Sequence, residues 1–180
     1  MAQAATIYVL SIDFSDLDRG VYETFELRVA RHPSETAEYM LVRVLAYCLE
    51  YEEGIALTEG VSSGDEPAVL VRDLTGTITA WIEVGMPDAA RLHRGSKAAG
   101  RVAVYTHRDA RHVLAQLAGE RIHRASEIPI RTFDRSIVEE ITALIERRTS
   151  MAVSVSGGDL LVSIGDRSIT LPIVEHTISG

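Results

Sequence analysis

The sequence is poor in cysteine and has no long hydrophobic run. Its single cysteine, Cys48, excludes an internal disulfide and a cysteine-rich zinc site. Cys48 lies on the apolar face of a predicted helix, which indicates a core thiol. The apolar stretches are far too short to cross a bilayer, and the start, MAQAATIYVLSIDF, has no basic residue ahead of its apolar ones. We therefore expect a cytoplasmic protein without a membrane partner.

Signatures of several common enzyme classes are also missing. No GxGxxG, Walker loop, HExxH or GxSxG motif occurs, which excludes the commonest nucleotide-binding, zinc-protease and hydrolase assignments. Aromatic residues make up 6% of the chain and do not cluster as they would for stacking nucleic-acid bases. The histidine spacings match no recognisable ligand set, so we interpret the histidines as surface or network residues.

The composition that remains is that of one globular domain. The chain has 180 residues, of which 46% are hydrophobic and 24% charged, enough to bury a substantial core. No internal repeat, low-complexity tract or linker divides it. We predict a single domain over residues 1–180.

The charge is distributed unevenly. The net charge is -8, yet residues 91–124 hold eight basic residues against two acidic ones, a local charge of +6, and four of the six histidines. Phosphates are bound by arginine and lysine while acids bind a metal ion, so this segment predicts a contact with nucleic acid. The alternatives are that these residues are solvated helix faces or that the segment meets a protein partner.

Periodicity predicts the order strand, strand, helix, three strands, helix, strand, helix, strand, helix and strands. Residues 5–14 and 22–30 form a first hairpin, and the clearest helix has Pro33 in its first turn and ends before Gly54. The other helices are predicted over 87–100, 109–118 and 135–147, and the other strands over 55–58, 101–106, 121–123 and two or three short segments after residue 150.

A central hairpin, residues 68–71 and 77–84, brings acids together. Glu66 lies at the entrance of one strand and Glu83 at the exit of its antiparallel partner, so both fall at the same end of the sheet. Two carboxylates that meet repel each other, and a divalent cation or a basic side chain is the simplest compensation. The alternative is that both acids face water at strand ends.

Four segments together resemble the YaeQ family of small bacterial proteins: ARHPSET (30–36), GDEP (64–67), WIEVGMPD (81–88) and VAVYTH (102–107). The resemblance covers essentially the whole chain. It implies an α/β (α+β) protein of the restriction-endonuclease-like class, with a central mixed sheet flanked by helices, an N-terminal β-hairpin and short C-terminal strands. That fold carries the PD-(D/E)XK motif, so the resemblance supports a Mg²⁺-dependent nuclease by analogy.

The motif transfers to this chain only in part. The first acid falls at Asp65-Glu66, with the proline after the acids rather than before them, and the second acid falls at Glu83. The lysine expected two residues later is replaced by Gly85. The resemblance therefore implies a metal site whose usual base is absent from its usual place.

Residues elsewhere are implied to complete the site. Lys97, the only lysine, or Arg94 would stand in for the missing base from the next helix. Arg94 could hold a phosphate but could not act as a general base, because its guanidinium is always charged. Glu35 lies where such nucleases often add a further acid, and His32 is close to it.

The implied mechanism uses a single Mg²⁺ ion. Glu66 and Glu83, together with Asp65, would hold the ion, with the carbonyl of Val84 as a further ligand. The ion would activate a water that Lys97 orients or deprotonates. Neighbouring phosphates would be held by Arg91, Arg94 and Arg101.

A second hypothesis belongs to a different class. In it the protein keeps the fold, lacks the chemistry and acts as a binding or regulatory partner, with Glu83 paired to Arg94 rather than to a metal. Carboxylates that converge near Lys97 favour the enzyme, whereas an arginine inserted between them favours the binding protein.

Overall fold

The computed structural model describes residues 4–59 and 64–179, and within these ranges eleven strands and four α-helices follow one another. In chain order they are β1 Thr6–Asp16, β2 Val21–Arg31, α1 Ala37–Leu49, β3 Ile55–Leu57, β4 Val69–Arg72, β5 Ile78–Val84, α2 Ala89–Ala98, β6 Arg101–Thr106, α3 Ala110–Leu117, β7 Pro129–Thr132, α4 Arg135–Thr142, β8 Arg148–Ser156, β9 Asp159–Ile164, β10 Arg167–Pro172 and β11 Val174–Thr177. In the described part of the chain, no helix is both long and apolar enough to span a membrane.

The strands form two mixed sheets. The first has the order β10-β9-β8-β1-β2, in which β1 is parallel to β8, and the second has the order β11-β7-β6-β5-β4-β3, in which β5, β6 and β7 are parallel. The predicted N-terminal and central hairpins are confirmed. We expected a central mixed sheet together with an N-terminal hairpin and short C-terminal strands. In the structure the hairpin and the strands β8 to β10 form a sheet of their own, because β1 pairs with β8.

Helix α1 lies between the two sheets. Eight of its residues, from Met40 to Cys48, are buried, as expected for a helix that is covered on all sides. Its first turn was placed at Pro33, but the helix begins at Ala37 because Thr36 is the N-cap and accepts a hydrogen bond from the Tyr39 backbone N–H at 3.0 Å.

The end of α1 was predicted near Gly54, yet the helix ends at Leu49. Gly54 lies in the following turn with φ of +90°. A side chain at Gly54 would collide with the carbonyl of Arg72. Glycine is therefore needed here because the turn packs closely against β4, and not because it ends the helix.

Two apolar cores cover the two faces of the second sheet. The larger core joins α1, the inner face of the first sheet and the β5 residues Ala80, Ile82 and Val84. The smaller core lies beneath α2 and α3 and includes Trp81 and Leu92. Side chains of β5 thus alternate from Ala80 onward, and Trp81 and Glu83 point toward the α2 side.

Two predictions for residues 121–147, one strand and one helix end, are wrong. Residues 121–123 form a turn docked on α2, and the strand between α3 and α4 is Pro129–Thr132 instead. The helix predicted over 135–147 ends at Thr142, and the chain has entered β8 by Arg148, which pairs with Val9 of β1.

Candidate functional site

The end of β5 carries a buried carboxylate. Glu83 is 4% exposed on the side of the sheet that packs against α2. Trp81 Nε1 donates a hydrogen bond to Glu83 Oε1 at 2.8 Å, and Arg91 Nε donates to the same oxygen at 3.1 Å. A basic side chain therefore compensates this acid, which is one of the two alternatives that the sequence left open.

The local sequence of α2 places Arg91 over the end of β5. Asp88 caps the helix by accepting from the Arg91 backbone N–H at 2.8 Å, so Arg91 falls in the first turn. One turn later Gly95 lies directly on Trp81, where a Cβ atom would be only 2.6 Å from the indole Cδ1. The close approach of helix and strand brings the guanidinium to Glu83.

The same guanidinium reaches a second segment. Arg91 Nη1 donates to the carbonyl of Gly64 at 3.0 Å and Nη2 to the carbonyl of Glu66 at 2.8 Å. Three oxygen acceptors thus converge on one side chain: a carboxylate from β5 and two carbonyls from residues 64–66. Arg91 therefore joins the end of β5 to residues 64–66, the two parts of the chain in which the metal-binding acids were expected.

The side chains of the other two predicted acids point elsewhere. Asp65 is 97% exposed and lies 3.8 Å from Arg94 Nη1, and Glu66 lies 4.0 Å from Arg72 Nη2. Among residues 4–59 and 64–179, no three His, Cys, Asp or Glu side chains group closely enough to hold a metal ion. In this arrangement the acids predicted to bind Mg²⁺ do not form a ligand set for it.

Burial controls the titration of Glu83. Removal from water raises the pKa of Glu83 above its ordinary value of 4.5, and the Arg91 guanidinium and the Trp81 N–H oppose that rise. The carboxylate is therefore more easily protonated than a surface glutamate.

The other basic residues predicted for the site, Lys97 and Arg101, lie away from Glu83. Lys97 is exposed in the last turn of α2, ~9 Å along the helix axis from Arg91. Arg101, at the start of β6, pairs with Glu50 and Glu52 at the end of α1. Because β6 runs parallel to β5, Arg101 lies toward the opposite end of the sheet from Glu83.

The two accessory residues lie before α1. Glu35 is 3% exposed and pairs with the fully buried Arg43, with 3.2 Å between Oε1 and Nη1. Arg43 Nη2 also donates to the carbonyl of Ala30 at 3.1 Å. The His32 ring is hydrogen-bonded to the Ser34 hydroxyl at 2.7 Å, within the turn that leads to the helix.

A cavity of about 380 Å³ lies between β2 and β3. The charged residues that line it are Arg28, Arg43, Glu59 and Glu66. Glu66, whose carbonyl accepts from Arg91, therefore also lies beside this cavity.

The match to known proteins covers nearly the whole chain. The sequence model of the family described as YaeQ protein matches residues 1–173. The chain belongs to the YaeQ family. It is 30% identical over 164 residues to the uncharacterized protein YaeQ of Escherichia coli (strain K12), which is 91% of each chain. The resemblance carried by the four sequence segments is confirmed.

Solved structures of YaeQ proteins have the same fold as this chain. The crystal structure of YaeQ from Pseudomonas syringae gives a TM-score of 0.89 at 32% identity and covers 98% of both chains. That from Xanthomonas axonopodis pv. citri gives 0.85 at 28% identity and covers 96% of this chain and 98% of its own.

In this member of the YaeQ family, Tyr39 packs beside Gly85, the position at which the sequence resemblance led us to expect a lysine. Gly85 has φ of +91°, and a Cβ atom on it would lie 3.2 Å from Tyr39 Cε2. Burial raises the pKa of Tyr39 to about 12, and the charges of Arg43, Glu35, Glu83 and Arg91 also act on its hydroxyl. The ring thus lies near both ion pairs and fills the space beside the backbone of Gly85.

Sequence reasoning missed two residues of this YaeQ site. Arg43 interrupts the apolar stretch of α1, and a charge inside such a stretch is the one signal that pointed to it. Tyr39 gave no signal, because an aromatic residue in the first turn of a helix is unremarkable in sequence. The predicted partner of Glu83 was Arg94, but Arg91 makes that contact.

Proposed function

We propose that this YaeQ protein is a non-catalytic binding protein for nucleic acid, whose contact with phosphate is centred on Arg94. The observation that carries the proposal is the insertion of Arg91 between Glu83 and residues 64–66. An arginine in that position supplies the compensating charge that a metal ion would otherwise supply.

The neutralised acid suits binding of a polyanion. Because Arg91 offsets the charge of Glu83, that carboxylate does not repel a phosphate that approaches α2. Arg94 is half exposed, and its nearby acid, Asp65, is almost fully exposed, so water screens their attraction. A phosphate oxygen can therefore compete for the Arg94 guanidinium.

The finer fold assignment belongs to the same proposal. We place the second sheet, α1 and α2 in correspondence with the restriction-endonuclease-like core of one helix, a three-strand meander, a helix and a strand. The order α1, β3, β4, β5, α2, β6 supports this correspondence. A lineage from phosphodiester-binding enzymes would account for a surface suited to phosphate.

Binding of labelled 20-nucleotide DNA and RNA, measured by fluorescence anisotropy in EDTA and again in Mg²⁺, tests the proposal. We expect binding in both buffers, a loss of at least tenfold in Arg94→Glu, and no cleavage of either substrate. Arg148→Glu, an exposed arginine at the start of β8, is the matched control and should bind like the parent. Absence of binding to both nucleic acids would overturn the proposal.

A Mg²⁺-dependent phosphodiesterase is the second candidate. If Arg91 moved away, the Glu83 carboxylate and the carbonyls of Gly64 and Glu66 would offer three oxygen atoms to a hard cation, and this potential ligand set favours the enzyme. Calorimetric titration of Mg²⁺ and Mn²⁺ separates the two candidates. If the parent releases or takes up heat, the Glu83→Gln variant does not, and the labelled substrate is cleaved, the enzyme hypothesis is supported and the binding-protein hypothesis is wrong.

A further inference from the structure

The turn that replaces the predicted strand at residues 121–123 is fastened to α2. Ser96 Oγ donates to the carbonyl of His123 at 2.6 Å, and the His123 backbone N–H donates to His93 Nδ1 at 3.1 Å. Ile122 is buried in the smaller core between these contacts. The turn and the helix therefore present their exposed side chains on one continuous surface.

Arg124 locks this arrangement at the end of α2. Its guanidinium donates to the carbonyls of Ser96, Ala99 and Gly100 at 2.8 to 3.1 Å, which satisfies acceptors that a helix end leaves open. Arg124 is also the non-glycine residue with positive φ in the described part of the chain, at 54°. A left-handed conformation at such a residue is unfavourable by itself, so the contacts with α2 must hold it.

The fastened turn collects positive charge. The charged groups that act on the His123 ring are Lys97, Arg124 and His93, and Glu127 is the single acid among them. Burial first, and then Lys97, Arg124 and His93, lower the pKa of His123, whereas Glu127 raises it. Arg94 lies one turn before Lys97 along α2.

Two cations of this surface have no acid of their own. In the part of the chain that the structure describes, neither Lys97 nor Arg121 forms an ion pair, whereas Arg91, Arg101 and Arg111 each pair with an acid. Both free cations are exposed. Surface cations without a paired acid attract a polyanion.

We infer that α2 and residues 121–124 form a continuous track for a phosphodiester chain, so that the ligand is an oligonucleotide of several residues and not a mononucleotide. The inference rests on the proposed function and extends it beyond Arg94. Arg94 and Lys97 are three residues apart on α2 and therefore lie on the same side of the helix, so both can contact one phosphodiester chain. Lys97, His123 and Arg121 would then meet the next phosphates.

The chemistry of the surface favours nucleic acid over an acidic protein. Protein interfaces are built around aromatic and apolar side chains, but the large apolar residues that are exposed in the described ranges all lie outside α2 and residues 119–124. Because α2 and residues 119–124 contain no Phe, Tyr or Trp to stack on bases, we expect the track to contact the backbone rather than to distinguish base sequence.

Anisotropy titrations of a 20-nucleotide single strand over a range of salt concentrations test the track. The variants are Lys97→Gln, Arg121→Gln and the double variant, with Arg148→Gln as the matched control and Arg94→Gln as the variant of the central contact. We expect each track variant to weaken binding, the double variant by at least tenfold, and each substitution to reduce the slope of log K against log salt by about one. The thermal midpoint of every variant is measured alongside, and exposure of both side chains predicts no change.

The outcomes separate the track from the proposed function. If Arg94→Gln weakens binding while Lys97→Gln, Arg121→Gln and the double variant bind like the parent, the track is wrong and the central contact stands. If the parent does not bind the 20-mer, both fail. If a 20-residue polyglutamate peptide binds as tightly as the 20-mer and shows the same variant dependence, the surface recognises acidic protein and the inference is overturned.

Discussion

Gly85 occupies a backbone position that disfavours every other residue. Its φ is +91°, and a Cβ atom would press on Tyr39 at 3.2 Å. We expect Gly85→Lys, which restores the motif lysine by sequence, to lower the free energy of unfolding by about 1–3 kcal/mol and to confer no Mg²⁺-dependent cleavage. Urea unfolding and a nuclease assay measure the two effects.

A matched pair of alanine variants isolates the tyrosine contact. Gly119 has φ of +73° and open space around its Cβ position. Gly119→Ala therefore measures only the cost of placing alanine in a backbone conformation with positive φ. Gly85→Ala should destabilise the protein more than Gly119→Ala because it adds the collision with Tyr39. Equal losses in the two variants would show that the contact with Tyr39 adds no cost.

The titration of Glu83 gives a prediction with a definite sign. Since burial raises the pKa of Glu83 in the folded protein, the unfolded chain releases this proton first as the pH rises. The free energy of unfolding should therefore fall from pH 4.5 up to the raised pKa, and Glu83→Gln should lack that fall. Urea unfolding of parent and variant between pH 4 and 8 measures the difference, with the exposed Glu53→Gln as control. A difference of the opposite sign would mean that Arg91 outweighs burial.

The sequence was sufficient to select Glu83 as a site residue but not to predict which groups contact it. Glu83 is marked by a periodicity of two in β5, which is a local property of the chain. Its partner Arg91 is chosen by the packing of α2 on Trp81, and the carbonyl of Gly64 lies 27 residues from Arg91 in sequence. Contacts between remote segments depend on register and helix rotation, which no spacing rule specifies.

At the scale of the element, the seating of α2 depends on Gly95. Alanine is the better helix former by about 1 kcal/mol, yet its Cβ atom would collide with the Trp81 indole at 2.6 Å. We expect Gly95→Ala to destabilise the protein by about 1–3 kcal/mol and to shift the emission of Trp81, the only tryptophan.

Gly100 provides the control for this element. A Cβ atom there would lie 3.4 Å from the carbonyl of Thr79, which is close to an ordinary contact. Gly100→Ala should therefore leave both stability and tryptophan emission nearly unchanged. If Gly95→Ala were as stable as the parent, the proposed positioning of Arg91 through this contact would be wrong.

The element order was predictable and some boundaries were not. The starts of α2, α3 and α4 could be predicted, because each helix follows an aspartate that caps it through a side-chain hydrogen bond: Asp88, Asp109 and Asp134. The strand Pro129–Thr132 escaped notice because proline argues against a strand interior, although it is tolerated as the first residue of a strand.

At the scale of the whole molecule, sequence pattern cannot assign strands to sheets. The parallel pairing of β1 with β8 joins Val9 to Arg148, and no local signal favours it over a single sheet. The pairing of β8, β9 and β10 with the N-terminal hairpin therefore determines that the described chain has two sheets with α1 between them.

The end of α1 ties this assembly together through Glu50. Its carboxylate accepts from Tyr105 Oη at 2.7 Å, from Arg131 Nη1 at 3.1 Å and from Arg101. These donors come from β6 and β7, while Arg19, from the turn after β1, donates to two carbonyls at the same helix end. An acid at the unfavourable pole of the helix dipole, which by sequence looks like a small cost, therefore fixes the end of α1 to the second sheet, while Arg19 fixes the same helix end to the first sheet through backbone carbonyls.

Removing the Glu50 carboxylate should therefore destabilise the protein strongly, whereas removing the neighbouring Glu52 carboxylate should not. Glu50→Ala leaves Tyr105 and Arg131 desolvated without their carboxylate, and we expect a loss of about 3–5 kcal/mol in the free energy of unfolding. Glu52→Ala breaks a pair with the same Arg101 at an exposed position and should cost at most about 1 kcal/mol. Denaturant unfolding of the two variants compares them directly. Similar small losses would mean that the apolar cores alone hold α1 between the sheets, and that the carboxylate network only follows their packing.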